Sequence, residues 1–357
     1  MRALYALLVL VPVVLAMEVL DIGGHSTMFV LSALALIPLA AVLGDATEDV
    51  AEFTGPKVGG LLNATLGNAA ELIITIVALR EGLVAVVKAS IAGSIIGNML
   101  VVLGAAILLG GLRHGVQRFD PHIAGVNASI MALAIMALII PAIFELGSPQ
   151  HSPTHEDIVN LSDGTAIVLI VLYGLYLVYT VFTGGPVRTA AAHGDEEAEE
   201  PRDGRKLPTA LGLLAISTVA IVFMSEVLVG ALEPTAEAWG MSELFVGVML
   251  VPLVGNIAEH LVAVQVALKN KMDLSIGIAV GSGLQIALFV APVLVLVSQF
   301  VGPQPMSLVF NQFELVALIA AVIITVMISV DGRTNWLEGA QLLALYVIIG
   351  IAFFVIP

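Results

Sequence analysis

The chain is 357 residues long, 59% hydrophobic and only 11% charged, with a net charge of −15 and no cysteine. A soluble domain carries about 25% charged residues, so this composition, with a mean hydropathy of +1.07, excludes a soluble enzyme, a nucleic-acid binder and a disordered chain. The missing cysteines remove thiolate metal sites and disulfides, and the negative balance suits the handling of cations.

The apolar runs are continuous and longer than the alternating strands of a membrane β-barrel, so they read as membrane-spanning helices. In chain order they fall at 3–20, 27–44, 58–80, 86–112, 122–144, 164–183, 207–231, 243–268, 274–300, 311–330 and 338–356. The first run follows Arg2 and lacks a small-residue cleavage site before Glu18, so it is predicted as a helix and not a leader. The sum predicts an all-α polytopic membrane protein with eleven transmembrane helices. With the N-terminus in the cytoplasm and the C-terminus on the far side, eleven of the thirteen Lys and Arg lie on the cytoplasmic side. Arg80 and Lys88 lie on the far side. This is the expected positive-inside asymmetry.

Two acidic stretches interrupt the runs. Asp45, Glu48, Asp49 and Glu52 follow the second run, and Asp195, Glu196, Glu197, Glu199, Glu200 and Asp203 fall within 184–206. Each reads as a solvated segment or as a weak cation-collecting surface.

The two sides of the 184–206 linker match at a constant offset of 188 residues, without a gap from 58 to 102. Gly67-Asn68-Ala69-Ala70-Glu71 returns as Gly255-Asn256-Ile257-Ala258-Glu259, and Gly93-Ser94 returns as Gly281-Ser282. The predicted organisation is therefore an N-terminal helix in 1–26, a first five-helix repeat in 27–183, the acidic cytoplasmic linker 184–206 and a second five-helix repeat in 207–357. Five is odd, so the second copy enters from the opposite face and the repeats are inverted. Inverted repeats point to secondary transport, with the substrate at the midplane between them.

The matched motifs carry the chemistry. An ionised, unpaired glutamate at membrane depth costs several kcal/mol. Glu71 lies about 13 residues, roughly 20 Å, into its run, and Glu259 lies about 16 residues into its own, entering from the other face. Asn68 and Asn256 stand three residues before these glutamates, on the same helix face. Ser94 and Ser282 follow by 23 residues in both halves, with Asn98 and Gln285 close to them in sequence. Gly67 and Gly255 can let the helix unwind and free its carbonyls. Hard oxygens with two carboxylates suit Ca²⁺, which takes six to eight oxygen ligands, better than Mg²⁺; Zn²⁺ and Cu⁺ would call for Cys or His clusters.

Two carboxylates in such a site repel each other and resist losing water, so protonation competes with cation binding. An empty, doubly charged site is too costly to occlude, which makes exchange obligatory. Glu226 and Glu314, each near the far face, are candidate gate or proton-path residues; the alternative is an interfacial carboxylate reaching water. His260 reads as packing beside Glu259. No cofactor is implied, since Ca²⁺ is cargo, and the expected partners are Ca²⁺, H⁺ and the lipid bilayer, with no nucleic acid and with room for a homo-oligomer.

The segment Gly59-Gly60-Leu61-Leu62-Asn63-Ala64-Thr65-Leu66-Gly67-Asn68-Ala69-Ala70-Glu71-Leu72 resembles the first repeat motif of the Ca²⁺/H⁺ antiporters, the cation/proton exchanger branch of the Ca²⁺/cation antiporter superfamily. Val254-Gly255-Asn256-Ile257-Ala258-Glu259-His260 resembles the second, and 331–339 resembles a late loop of that family. Ile257, where the family often has Ala, is a departure off the ligand positions. The resemblance implies the same eleven-helix plan. It implies that Glu71 and Glu259 bind Ca²⁺ or protons in turn, with support from Asn68, Asn256, Ser94, Ser282 and Gln285. An amide at Gln285, where Na⁺/Ca²⁺ exchangers tend to carry an acid, favours proton coupling. The lack of a long regulatory extension before the first run favours a prokaryotic plasma membrane. Na⁺-coupled Ca²⁺ exchange is the alternative. A cation channel fits less well, because channels usually build a pore from symmetric subunits. No His-Glu-x-x-His motif supports an enzyme.

Overall fold

The computed structural model describes residues 2–147, 153–182 and 207–355, and the acidic linker lies outside the described residues. Nearly everything described is helix. The helices are α1 (Leu10–Val19), α2 (His25–Leu66), α3 (Ala69–Arg80), α4 (Val84–His114), α5 (Pro121–Glu145), α6 (His155–Phe182) and α7 (Leu207–Trp239). They continue with α8 (Glu243–Ile257 and Glu259–Leu268), α9 (Met272–Ser298), α10 (Gln312–Ser329) and α11 (Trp336–Val355). Among the described residues, eight helices are long and apolar enough to cross a membrane, and α8, bent by 68°, makes a ninth if taken as one span. The protein is an integral membrane protein.

Several predicted runs differ from the helices that contain them. The run at 3–20 is a short α-helix preceded by a 3₁₀ turn at Ala6–Val9. The run at 27–44 continues as helix through the acidic stretch, and that at 207–231 continues to Trp239. Apolar composition ends where the membrane ends, whereas Ala and Glu sustain a helix well beyond it. Asp45 in this extension accepts a hydrogen bond from the Tyr5 hydroxyl at 2.5 Å, and Asp49 is buried.

The chain is broken just before the run at 58–80 and again within it. Gly55 has φ +80°, a conformation open to glycine at little cost. The chain folds back there so tightly that a Cβ on Gly59 would come within 2.5 Å of the Ala51 carbonyl oxygen. A second interruption at Gly67–Asn68 separates α2 from α3.

Wide π-helical turns occur at Gly97–Val102 in α4, Val246–Leu250 in α8 and Ile286–Val290 in α9. Pro252 and Pro292 explain the last two. Proline has no N–H to give the carbonyl four residues back, here Val248 and Leu288, inside each wide turn. The turns in α4 and α9 fall at matching places in the 188-residue register, and such turns gather at functional sites.

Two apolar clusters form the interior. The larger joins α3 to α6 with α8 to α11. The smaller is built from α1, α2 and α7, whose most extensive pairing is α2 along α7, and it meets the rest at Ala70, Ile74, Val86, Val246 and Val251. Small residues set the closest approach, as is usual within membranes. A Cβ on Gly93 of α4 would collide with the Val248 backbone carbonyl of α8, and one on Gly247 would come within 2.6 Å of Ala89 Cβ. A two-residue antiparallel strand pair, Gln117–Arg118 with Arg333–Thr334, ties the α4–α5 connection to the α10–α11 connection.

Candidate cation site

The two matched motifs meet where α3, α4, α8 and α9 cross. Glu71 sits in the first turn of α3, where the helix dipole favours a carboxylate, and it is 6% exposed. Glu259 lies just past the bend of α8 and is partly exposed. Each glutamate faces the glycine of the other motif. A Cβ on Gly255 would come within 2.5 Å of Glu71 Oε1, and one on Gly67 would lie 3.7 Å from Glu259 Oε1.

The amides and hydroxyls cross between the halves in the same reciprocal way. Ser282 Oγ donates to Asn68 Oδ1 at 3.3 Å, and Asn256 Nδ2 donates to Ser94 Oγ at 3.3 Å. The arrangement is then made unequal by residues without counterparts. Asn68 Nδ2 also donates to Gln285 Oε1, and Asn98 Nδ2 donates to Ser282 Oγ at 3.2 Å. The repeat-related residues of Gln285 and Asn98 are Gly97 and Ile286. Both ends of the Asn68 amide are thus occupied by the second half. Asn256 uses only its donor, toward Ser94 and the Pro252 carbonyl at 3.2 Å.

Four buried oxygens in this set have no hydrogen-bond donor: Glu71 Oε1, Glu259 Oε2, Asn98 Oδ1 and Asn256 Oδ1. Buried acceptors are nearly always paired, so a cluster of unpaired ones is the arrangement a cation would satisfy. Among the described residues, no three His, Asp or Glu side chains gather to hold a metal. The charge at this site therefore comes from two carboxylates, with neutral amide and hydroxyl oxygens beside them.

Glu226 and Glu314 lie elsewhere. Glu226 on α7 accepts an ion-pair hydrogen bond from Arg80 Nη2 at 2.8 Å, at the end of α3 remote from Glu71. Glu314 caps α10 by accepting from the Asn311 N–H at 2.7 Å, and it is 2% exposed. It is not a carboxylate reaching water.

Two further residues depart from the expectations of the sequence. His260 lies beside Ser94, Asn256 and Tyr346, and its buried Nε2 is unpartnered. The signal was its place four residues after Asn256, on one helix face. Lys88 lies inside α4 and donates to the Val309 carbonyl at 2.8 Å and to Ser307 Oγ at 3.1 Å. A lysine within an apolar run is itself the mark of a specific partner.

The family model described as "Sodium/calcium exchanger protein" matches residues 25–182 and 209–355. A Ca²⁺/H⁺ antiporter of Aphanothece halophytica is 48% identical over 341 residues, covering 93% of this chain and 91% of that protein. The Ca²⁺/H⁺ antiporter ChaA of Bacillus subtilis is 45% identical over 333 residues, covering 93% of each. Among solved structures, the Ca²⁺/H⁺ antiporter YfkE superposes with a TM-score of 0.84 at 40% identity, over 100% of both chains.

Proposed function

Because the chain belongs to the sodium/calcium exchanger protein family, we propose that it is a Ca²⁺/H⁺ antiporter working by alternating access. The observation that carries this reading is the set of four unpartnered oxygens, contributed by both halves, with Glu71 and Glu259 at its centre. Ca²⁺ accepts many oxygens in flexible geometry, and two carboxylates offset its charge. Protons neutralise the same two groups. Either load lets the site be enclosed, and the empty dianion resists enclosure, which couples the two fluxes without covalent chemistry.

The finer reading follows the sequence. Eleven spans are counted by adding the short α1 and by taking 58–80, broken at Gly67–Asn68, as one span. Residues 27–183 and 207–357 are inverted repeats after an N-terminal helix in 1–26. The N-terminus and the 184–206 linker face the cytoplasm, and the C-terminus faces the far side, in a prokaryotic plasma membrane. Gln285 contributes an amide where a third carboxylate would add a Na⁺ site, and this favours protons as the coupling ion.

Ca²⁺ uptake into proteoliposomes under an imposed pH gradient, with Na⁺ and K⁺ gradients as controls, tests the proposal. Uptake driven by the pH gradient alone is expected. Uptake that requires a Na⁺ gradient would replace proton coupling with Na⁺ coupling, and flux without a coupled ion would indicate a channel.

A further inference from the structure

Glu259 opens a short helical segment, Glu259–Leu268, which the 68° bend separates from the rest of α8. The bend releases the front of this segment from the helix before it, so the contacts at its far end help to set where it lies. That end is held by the connection between α4 and α5. Gln117 Nε2 donates to the Ala267 carbonyl at 2.9 Å and to Asn270 Oδ1 at 3.0 Å, and His114 Nε2 lies 2.8 Å from the Leu268 carbonyl oxygen. Ala267 stands about two turns, roughly 12 Å, beyond Glu259 on the same segment. Gln117 is 1% exposed, and its Oε1 has no donor. Turning the amide over would aim that oxygen at two acceptors, so its orientation is fixed by its partners.

The helix that carries Glu71 ends in the same backbone turn. The Asn270 N–H donates to the Ala267 carbonyl at 3.0 Å, and the Gly82 N–H donates to the Leu79 carbonyl at 3.1 Å. These residues match at the 188-residue offset, and Asn270 and Gly82 both have positive φ, +61° and +81°. What lies against the two turns differs. Counted at the same offset, the position of Gln117 is taken by Pro305, which has no side-chain donor. The Leu79 carbonyl is met by the backbone of Gly302, where a Cβ would come within 2.5 Å of its oxygen.

From this difference we infer that Gln117 is a positioning residue for Glu259. Its amide fixes the end of the segment and so sets the carboxylate at the segment's start against the cation. Glu71 has no such support, so loss of the amide acts on one carboxylate and spares the other. The inference rests on reading Glu259 as a ligand of Ca²⁺. It adds a residue remote from the site that governs how many carboxylates the cation engages.

Two variants reach this amide by different routes. Gln117→Met keeps the length of the side chain and removes both donors. Gly110→Ala keeps every polar group, but its Cβ would collide with Gln117 Oε1 and push the amide away. Asn335→Ala is the control: it removes the oxygen that accepts from the Leu337 N–H at the start of α11, which lowers stability without touching α8. Ca²⁺ affinity is measured by calorimetry across pH, beside thermal denaturation and proteoliposome exchange. Both test variants should bind Ca²⁺ about tenfold more weakly, less than the effect of removing a buried charge outright. The pH slope of affinity should also fall by about one proton per Ca²⁺, a factor of about ten per pH unit, because a displaced Glu259 keeps its proton. Asn335→Ala should melt earlier with affinity and slope unchanged. If either test variant is folded and keeps both the affinity and the slope of the wild type, or if Asn335→Ala changes them equally, Gln117 is only a structural contact. Should both test variants fail to fold while Asn335→Ala folds, the amide serves the fold and the inference is likewise overturned. A wild type without proton-driven Ca²⁺ exchange would instead overturn the functional reading.

Discussion

Gly255 and Glu71 touch across the two halves of the molecule: a Cβ at 255 would stand 2.5 Å from Glu71 Oε1 and 2.9 Å from its carboxyl carbon. The glycine of the second motif is therefore the wall against which the first glutamate is set. Gly255→Ala should leave a folded protein, since only a side chain must move. That side chain is the carboxylate of the site, however. Displacing a reacting group by about 1 Å costs up to about a hundredfold in rate, and Ca²⁺ exchange should slow by tenfold to that extent. Exchange rates measured beside thermal stability would show it. Normal exchange in a stable Gly255→Ala protein would mean that the position of Glu71 is unimportant.

Glu71→Gln and Glu259→Gln should each abolish exchange. Each keeps the shape of the side chain and removes one of the two charges that offset a dication. Truncating one partner of a buried charge pair costs about 2–5 kcal/mol, roughly thirtyfold or more in affinity. Calorimetric titration with Ca²⁺, alongside uptake, separates lost binding from lost movement. Near wild-type transport by either variant would refute the site.

Acidification should weaken Ca²⁺ binding, because protons and the cation claim the same oxygens. The steepness counts the protons displaced: about tenfold in affinity per pH unit for one, about a hundredfold for two. Titrations in detergent at a series of pH values would give the slope directly. An affinity indifferent to pH, with transport intact, would put the proton on other groups.

The candidate site was legible in the sequence because its motif is written twice. A constant offset of 188 residues picked out Glu71 with Glu259, Asn68 with Asn256 and Ser94 with Ser282, and the structure joins each asparagine to the serine of the other half. What a repeat cannot reveal is what breaks it. Gln285 and Asn98 have no counterparts, and their hydrogen bonds make the two asparagines unequal. The fold-back at Gly55 and the wide turns of α4, α8 and α9 were hidden for a different reason. Apolar runs report where a helix crosses lipid, and breaks inside such a run depend on neighbouring helices. The sequence marks Lys88 only as a charge on the far side, because its partners, Val309 and Ser307, lie some 220 residues away.

The inequality of the asparagines can itself be tested. Asn256→Ala removes an oxygen that has no donor and should act on Ca²⁺ affinity with little loss of stability. Asn68→Ala leaves Gln285 Oε1 without its donor and the Ser282 hydroxyl without its acceptor. A buried group deprived in this way costs about 1–3 kcal/mol, so this variant should melt earlier as well. Thermal denaturation should separate the two proteins, with Asn68→Ala the less stable, while Ca²⁺ titration shows a loss of affinity in both. Identical losses in both measurements would mean that the two amides play one role.

Gln285→Asp tests the coupling ion. The Gln285 carbonyl accepts from Asn68, which in turn accepts from Ser282, so the residue is joined to the site through hydrogen bonds. A carboxylate there raises the charge of the site from two negative groups toward three. A third buried charge must be neutralised, either by another bound cation or by a proton. The first outcome appears as Na⁺ sensitivity of Ca²⁺ uptake, and the second as more protons moved per Ca²⁺. In both cases turnover should slow, because a more strongly bound load leaves more slowly. The shorter aspartate also gives up part of the contact with Asn68, so thermal stability measured in parallel separates altered coupling from poor folding. If Gln285→Asp is stable and keeps its ion dependence, its stoichiometry and its rate, then the hydrogen bond to Asn68 only packs two helices together. The choice of proton over Na⁺ would then have to be made by the two glutamates themselves.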